Sequence, residues 1–287
     1  IEGGAIYVNG TLNALNYTSF TSNSAIRGGA VFITAFNTTI LGCDFDNNTA
    51  THDLRFSVND ELNKLSSIGG GIAIQGNDVN IINSTFTNNT AVGIYEDSGL
   101  GGAVAVNGTD NWIYNSLFED NEAIKGGAFY LEGGSTVIEE SNFTYNYAIK
   151  GGSGYIDGKN SVIKNSLFED NNATHDLKFN LSDALKNSAT AGGAVYIIGR
   201  DVNVTSSNFT HNSANAENQT SSIGGGAFYI EGNKVNITDS KFEENTALKG
   251  GAVYVTGNVT MIYDSNFTRN SVTNFTVMEG FGGAVYL

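Results

Sequence analysis

Short apolar runs recur along the whole chain, each alternating with polar residues and each bounded by Gly, Asn or Ser. One apolar column reads Leu15, Ile40, Ile81, Ile113, Ile138, Ile163, Val204, Ile237 and Ile262, always five residues before a Phe. A second reads Val8, Ile33, Ile74, Val106, Leu131, Ile156, Ile197, Ile230 and Val255, always five residues after the first Gly of a Gly-Gly pair. Runs this short, β-branched and alternating with period two predict strands, not helices.

Two signatures frame the runs. Gly-Gly-Ala-(Val/Ile/Phe)-Tyr, with local variants, begins at Gly3, Gly28, Gly69, Gly101, Gly126, Gly151, Gly192, Gly225, Gly250 and Gly282. Phe-x-x-Asn falls at Phe20/Asn23, Phe45/Asn48, Phe86/Asn89, Phe118/Asn121, Phe143/Asn146, Phe168/Asn171, Phe209/Asn212, Phe242/Asn245 and Phe267/Asn270. In all nine complete units the Phe lies 17 residues after the first Gly. The starts are separated by 25, 41, 32, 25, 25, 41, 33, 25 and 32 residues, so the basic unit is 25 and every insertion follows Phe-x-x-Asn. A four-unit block at 3–125 recurs at 126–249, followed by a further partial block. The long inserts, at about 51–68 and 174–191, confirm the duplication, since Thr51-His52-Asp53-Leu54 returns as Thr174-His175-Asp176-Leu177. A fixed period with room for three short strands and three turns predicts an all-β solenoid. The expected fold is a right-handed, single-stranded parallel β-helix of about nine coils, occupying 1–287 as one domain. Successive coils should lie about 4.8 Å apart.

Each column then has a job. The Phe column, with Phe118, Phe143 and Phe168 at its centre, should stack along the interior. The Asn column, including Asn121, Asn146 and Asn171, should take left-handed backbone geometry and link its amides from coil to coil. The Gly-Gly pair suits a tight corner. Two residues before each Phe stands Ser or Thr, except at Cys43, which reads as a packing residue before a nucleophile. The fourth residue after the first Gly reads Tyr7, Phe32, Ala73, Ala105, Tyr130, Tyr155, Tyr196, Tyr229, Tyr254 and Tyr286. It alternates with an inward column, so it should face outward. Tyr130, Tyr155, Tyr196, Tyr229 and Tyr254 form the candidate ligand-binding stripe, able to stack on sugar rings or on a neighbouring molecule.

The inserts are too apolar for free loops: Leu54, Phe56, Val58, Leu62 and Leu65 in one, Leu177, Phe179, Leu181 and Leu185 in the other. Ser57 or Asn59, and Ser182, are candidate N-caps of short helices there. The inserts are expected to emerge beside the aromatic face and to fold back onto the rod. His52-Asp53 and His175-Asp176 lack the further ligands that a metal site needs, so turn or capping roles are expected. No cofactor or metal is expected. Calcium between coils carrying Glu119-Asp120, Glu169-Asp170 and Glu243-Glu244 is the one alternative, and a solvated edge is the simpler reading.

Composition narrows the setting. The chain carries 14 Lys+Arg against 29 Asp+Glu, formally −15, which argues against nucleic acid or an anionic membrane as partner. Proline is absent, as a long ladder of paired strands requires. A single cysteine excludes an intrachain disulfide. No apolar run is long enough to span a bilayer, so no membrane insertion is expected within the segment. Both ends fall inside the repeat, so a segment of a longer protein is expected. Asn-x-Ser/Thr sequons are frequent. Asn9, Asn83, Asn107, Asn208, Asn236 and Asn266 are candidate glycosylation sites on a cell-surface protein.

Gly-Gly-Ala-(Ile/Val) with Phe-x-x-Asn resembles the repeats of chlamydial polymorphic membrane proteins, which are surface autotransporter adhesins. The Asn/Thr-rich, proline-free dress resembles adhesin-like proteins of methanogenic archaea. The resemblance implies an extracellular, cell-surface, non-catalytic passenger that attaches to glycans or proteins of other cells. It supplies no catalytic residues. A polysaccharide lyase or hydrolase is the main rival, since β-helices house both. Such an enzyme needs one coil where acids and bases converge. The departures from the repeat are Gly151-Gly152-Ser153-Gly154, near Asp157 and Lys159, and the lone Trp112, and neither brings such a set. A self-assembling filament or sheath component, associating end to end or side by side, is the third reading.

Overall fold

The computed structural model describes residues 2–11, 13–54, 65–215, 222–258, 260–273 and 282–287. Four parallel sheets run along the rod, of 10, 9, 9 and 11 strands. The first begins with Ile6–Val8 and Val31–Ile33 and follows the Gly-Gly corner. The second begins with Ala14–Asn16 and carries the Ile column; the third begins with Ser19–Thr21 and carries the Phe column. The fourth begins with Ser24–Ala25 and follows the Asn. Successive coils pair in parallel, and in the first three sheets in register, as in Ile81↔Ile113, Phe86↔Phe118 and Val104↔Phe129; the fourth sheet shifts register once, between Thr190 and Ala191. The parallel β-helix expected from the repeat is therefore present.

The fourth sheet is additional to the three strands expected per coil. Its strands are mostly two residues long, as in Thr49–Ala50 and Asn172–Ala173, too short for alternation to reveal them. Each turns a small residue inward; Ala50, Ala91, Ala123 and Ala173 are fully buried.

The Phe rings stack in an unbroken column from Phe20 to Phe267, with centroids 4.6–5.0 Å apart and planes within 14°. Beside it runs the Asn ladder. Asn121 donates Nδ2–H to Asn146 Oδ1 at 3.0 Å and to Phe86 O at 2.9 Å, and its backbone N–H reaches the same Asn146 Oδ1 at 3.1 Å. Asn146 repeats this towards Asn171, and Asn171 towards Asn212. Every amide in this interior stretch therefore has its hydrogen bonds filled, which a buried amide requires. The ladder expectation holds, but the left-handed one needs correction. Positive φ belongs to the residue before each Asn: Ser22, Asn47, Asn88, Asp120, Tyr145, Asp170, His211, Glu244 and Arg269. That residue makes the corner, which frees the Asn to point inward.

The other columns behave as packing devices. Ser84, Ser116, Ser141 and Ser166 each accept the backbone N–H of the preceding coil's counterpart. Cys43 is buried in this series, its Sγ 3.3 Å from Leu15 O, and burial pushes its thiol pKa up. That is the opposite of an activated nucleophile. At the corner, Gly28 has φ +60, and a Cβ on Gly29 would lie 2.1 Å from Gly70 O. Gly154 leaves space for a neighbour: its Cβ would stand 2.0 Å from the Phe129 ring. The irregular Gly151–Gly154 coil is thus explained by packing. Trp112 lies against Tyr114 in its own strand, with centroids 4.8 Å apart.

The second insert folds back onto the rod, capped as expected. Ser182 is the N-cap of a one-turn helix, Asp183–Lys186, and accepts from Leu185 N. Leu181 and Leu185, with Leu177 and Phe179, cover Ile124 and Ile149. This patch lies on the fourth sheet; only the end of the insert, Ala191, packs with Tyr155 and Tyr196, so the expected position beside the aromatic face is corrected for the apolar part of the insert. In the first insert, Phe56, Ser57, Val58, Asn59 and Leu62 lie outside the described residues.

Candidate functional site

The tyrosine column sits in the middle of each first-sheet strand and faces away from the core, as alternation requires. It is not an exposed stripe. Tyr155, Tyr196 and Tyr229 are only 3–5% exposed, and Tyr130 and Tyr254 are half-buried. The rings stack on one another from Tyr130 to Tyr286 at 4.8–5.4 Å. Two lysines that precede Gly-Gly pairs close over them: Lys125 Nζ lies 5.3 Å from the Tyr155 ring centre and Lys150 Nζ 5.7 Å from that of Tyr196. Ala191, Ile198 and Ile223 complete the cover. Asp97 and Glu96 in turn hold Lys125 and Lys150, at 2.7 and 2.5 Å. These lysines hold both carboxyls below their usual range. Tyr229 donates to Glu231 Oε1 at 3.0 Å, and burial pushes its phenol pKa up strongly, with Glu231 adding to the shift. Most of the expected stripe is thus a sealed aromatic seam.

The seam ends at Tyr130. The next two positions of the column are Ala105 and Ala73, whose backbones pair in register with Tyr130 and with each other. The missing ring at Ala105 leaves a slot of about 210 Å³, whereas Ala73 is fully buried and does not line it. Tyr130 forms one end and Arg27 borders the other; Ile68, Leu100 and Ala105 supply apolar surface. Gln75, Asn107 and Glu132, successive members of one column, supply polar groups. Asn107 Nδ2 donates to Glu132 Oε2 at 3.0 Å, and Arg27 is paired with Glu2 at 3.6 Å. The slot is visible in the sequence only as two alanines interrupting an aromatic column.

The other candidates separate in space. His52-Asp53 and His175-Asp176 form matching turns in which Asp53 N and Asp176 N donate to Thr51 Oγ1 and Thr174 Oγ1, each at 3.0 Å. Among the described residues, one group has donor atoms close enough for an ion: Glu169, Asp170 and His211, within 4.8 Å of one another. His211 Nε2 is 2.9 Å from Glu244 Oε2, and an imidazole suits calcium poorly, so the set does not favour the calcium alternative. Glu122 was not singled out from sequence. It is 1% exposed, accepts the backbone N–H of Lys178 from the second insert, and its other oxygen Oε2 has no hydrogen-bond partner. Burial raises its pKa to about 7. Of the sequon asparagines, Asn9, Asn83, Asn107, Asn208 and Asn266 are exposed and Asn236 is half-buried.

No helix among the described residues is long and apolar enough to cross a membrane. No curated protein and no solved structure matches the chain. Residues 83–107, which run from the turn before Phe86 through Asn89 and the Gly101-Gly102 corner to the slot residue Asn107, match the Chlamydia polymorphic membrane protein repeat. The chain is therefore similar, over that unit, to a repeat of surface proteins, and the repeat together with the β-helix fits a surface adhesin-like protein.

Proposed function

We propose that the chain is part of an extracellular adhesin rod that attaches to glycans of other cells and leaves them chemically unchanged. The observation that carries this is the slot at Tyr130: an aromatic ring face and hydrogen-bonding side chains meet in one depression on an otherwise sealed seam. The non-catalytic part is supported by the packing role of Gly154, which removes the best candidate for a catalytic break. An archaeal source rests on the Asn/Thr-rich composition alone. Of the sequons, Asn9, Asn83, Asn208 and Asn266, which are exposed and lie outside the slot, are proposed as glycan carriers.

Purified protein tested on a polysaccharide panel, scored for both retention and new reducing or unsaturated ends, checks the proposal. Retention without new ends is expected. New chain ends would replace the adhesin with an enzyme. Self-association without retention would favour the filament reading.

A further inference from the structure

Resting on the adhesin reading, we infer that the slot beside Tyr130 is a subsite for one neutral pyranose unit of a glycan, with the apolar face of the sugar against the Tyr130 ring. Tyr130 is backed by Tyr155, 5.4 Å away and tilted by 15°, so the ring is held in place before a ligand arrives. Its other face has no aromatic neighbour in the column, because Ala105 stands where the next ring would be. The Ala73 level, where the column is fully buried again, lies two coil steps from Tyr130, about 10 Å along the rod. A sugar ring in van der Waals contact at about 4 Å fits inside that length.

The lining has the same two-sided character as a pyranose. Ala105 and Leu100 offer apolar surface to C–H groups, while Gln75, Asn107 and Glu132 present donors and acceptors to hydroxyls. These groups stand on or beside paired strands, so little ordering entropy opposes binding. Charge selects within the sugars. Among the described residues the one cation bordering the slot, Arg27, is already faced by Glu2, while Glu132 adds a carboxylate and the chain carries −15 overall. A uronate would meet like charge there; a neutral hexopyranose would not.

The test uses the full chain made in a host that adds no N-glycans, so that Asn107 cannot fill the slot with its own sugar. Saturation-transfer NMR is run with methyl glucoside, methyl galactoside and methyl glucuronide as probes. At least one neutral glycoside should receive saturation on the protons of one ring face, with the glucuronide clearly weaker. Ala105→Tyr, which extends the seam into the slot, should lower affinity about tenfold or more, equal to 1.4 kcal/mol. Tyr130→Ala should do the same, with folding of both variants checked by circular dichroism. A preference for the glucuronide, or unchanged transfer in folded Ala105→Tyr, overturns the inference. Absence of transfer from all three probes also overturns it. Retention of polysaccharide by the same preparation then decides separately whether the adhesin reading survives.

Discussion

Two aromatic columns run along this rod, and they tolerate interruption differently. The inner Phe column is continuous through nine coils; the outer Tyr column stops at Ala105 and Ala73. Both stack at the coil spacing. The difference lies in what surrounds them. A missing inner ring leaves a closed void that no neighbour can fill. A missing outer ring leaves a depression that lysine stems, inserts, water or a ligand can occupy. The interior therefore maintains the fold, and the outer seam is where a coil can acquire a site.

The comparison can be broken at its strong end. Phe143→Ala removes a ring stacked on both sides and should cost about 3–5 kcal/mol, read by chemical denaturation. The cover over the fourth sheet should respond to pH. Glu122 has its pKa raised from 4.5 to about 7 while the insert is docked, so docking favours the protonated carboxyl. Docking stability should be full below the ordinary carboxyl range, fall as pH rises towards about 7, and change no further above it. The loss is on the order of 3 kcal/mol, at about 1.4 kcal/mol per pH unit. Amide hydrogen exchange across residues 175–188, corrected for intrinsic rates, should show protection weakening over that window. Glu122→Gln should abolish the dependence; protection that weakens equally in Glu122→Gln would sink the idea.

Smaller effects sharpen the contrast. Asn146→Ala leaves the Asn121 amide and backbone N–H without their shared acceptor and should cost about 1–3 kcal/mol, seen as a lower denaturation midpoint. Ala105→Tyr should be the mildest of all. One more ring on the outer seam should raise stability by about 1 kcal/mol, measured by the same denaturation, because a stacked aromatic pair contributes about that much. Clear destabilisation there would mean that the slot is narrower than the missing ring.

The period, the coil and its inner columns were legible because each residue in them answers to its own copy one coil away. The Phe-x-x-Asn spacing fixes the coil register at Phe143 and Asn146 with no reference to the rest of the molecule. What joins different columns was not legible. Lys125 reaches over Tyr155 from the far side of a Gly-Gly corner, so alternation alone left the seam looking exposed. The second insert reaches back to coils carrying Ile124 and Glu122, a direction that its own sequence does not encode. Left-handed geometry fell on Asp120 and not on Asn121 because the residue that turns the corner cannot also point into the core.

Repetition of one coil also gives the rod a mechanical signature. The bonds that hold one coil to the next are nearly the same at every level, so a pull on the chain end meets no single strongest point. Coils should peel away one at a time at similar force. Each should release its 25 residues as about 85 Å of slack, with longer steps where a coil carries 32, 33 or 41. Such a rod dissipates a sudden load in stages and keeps its remaining coils standing.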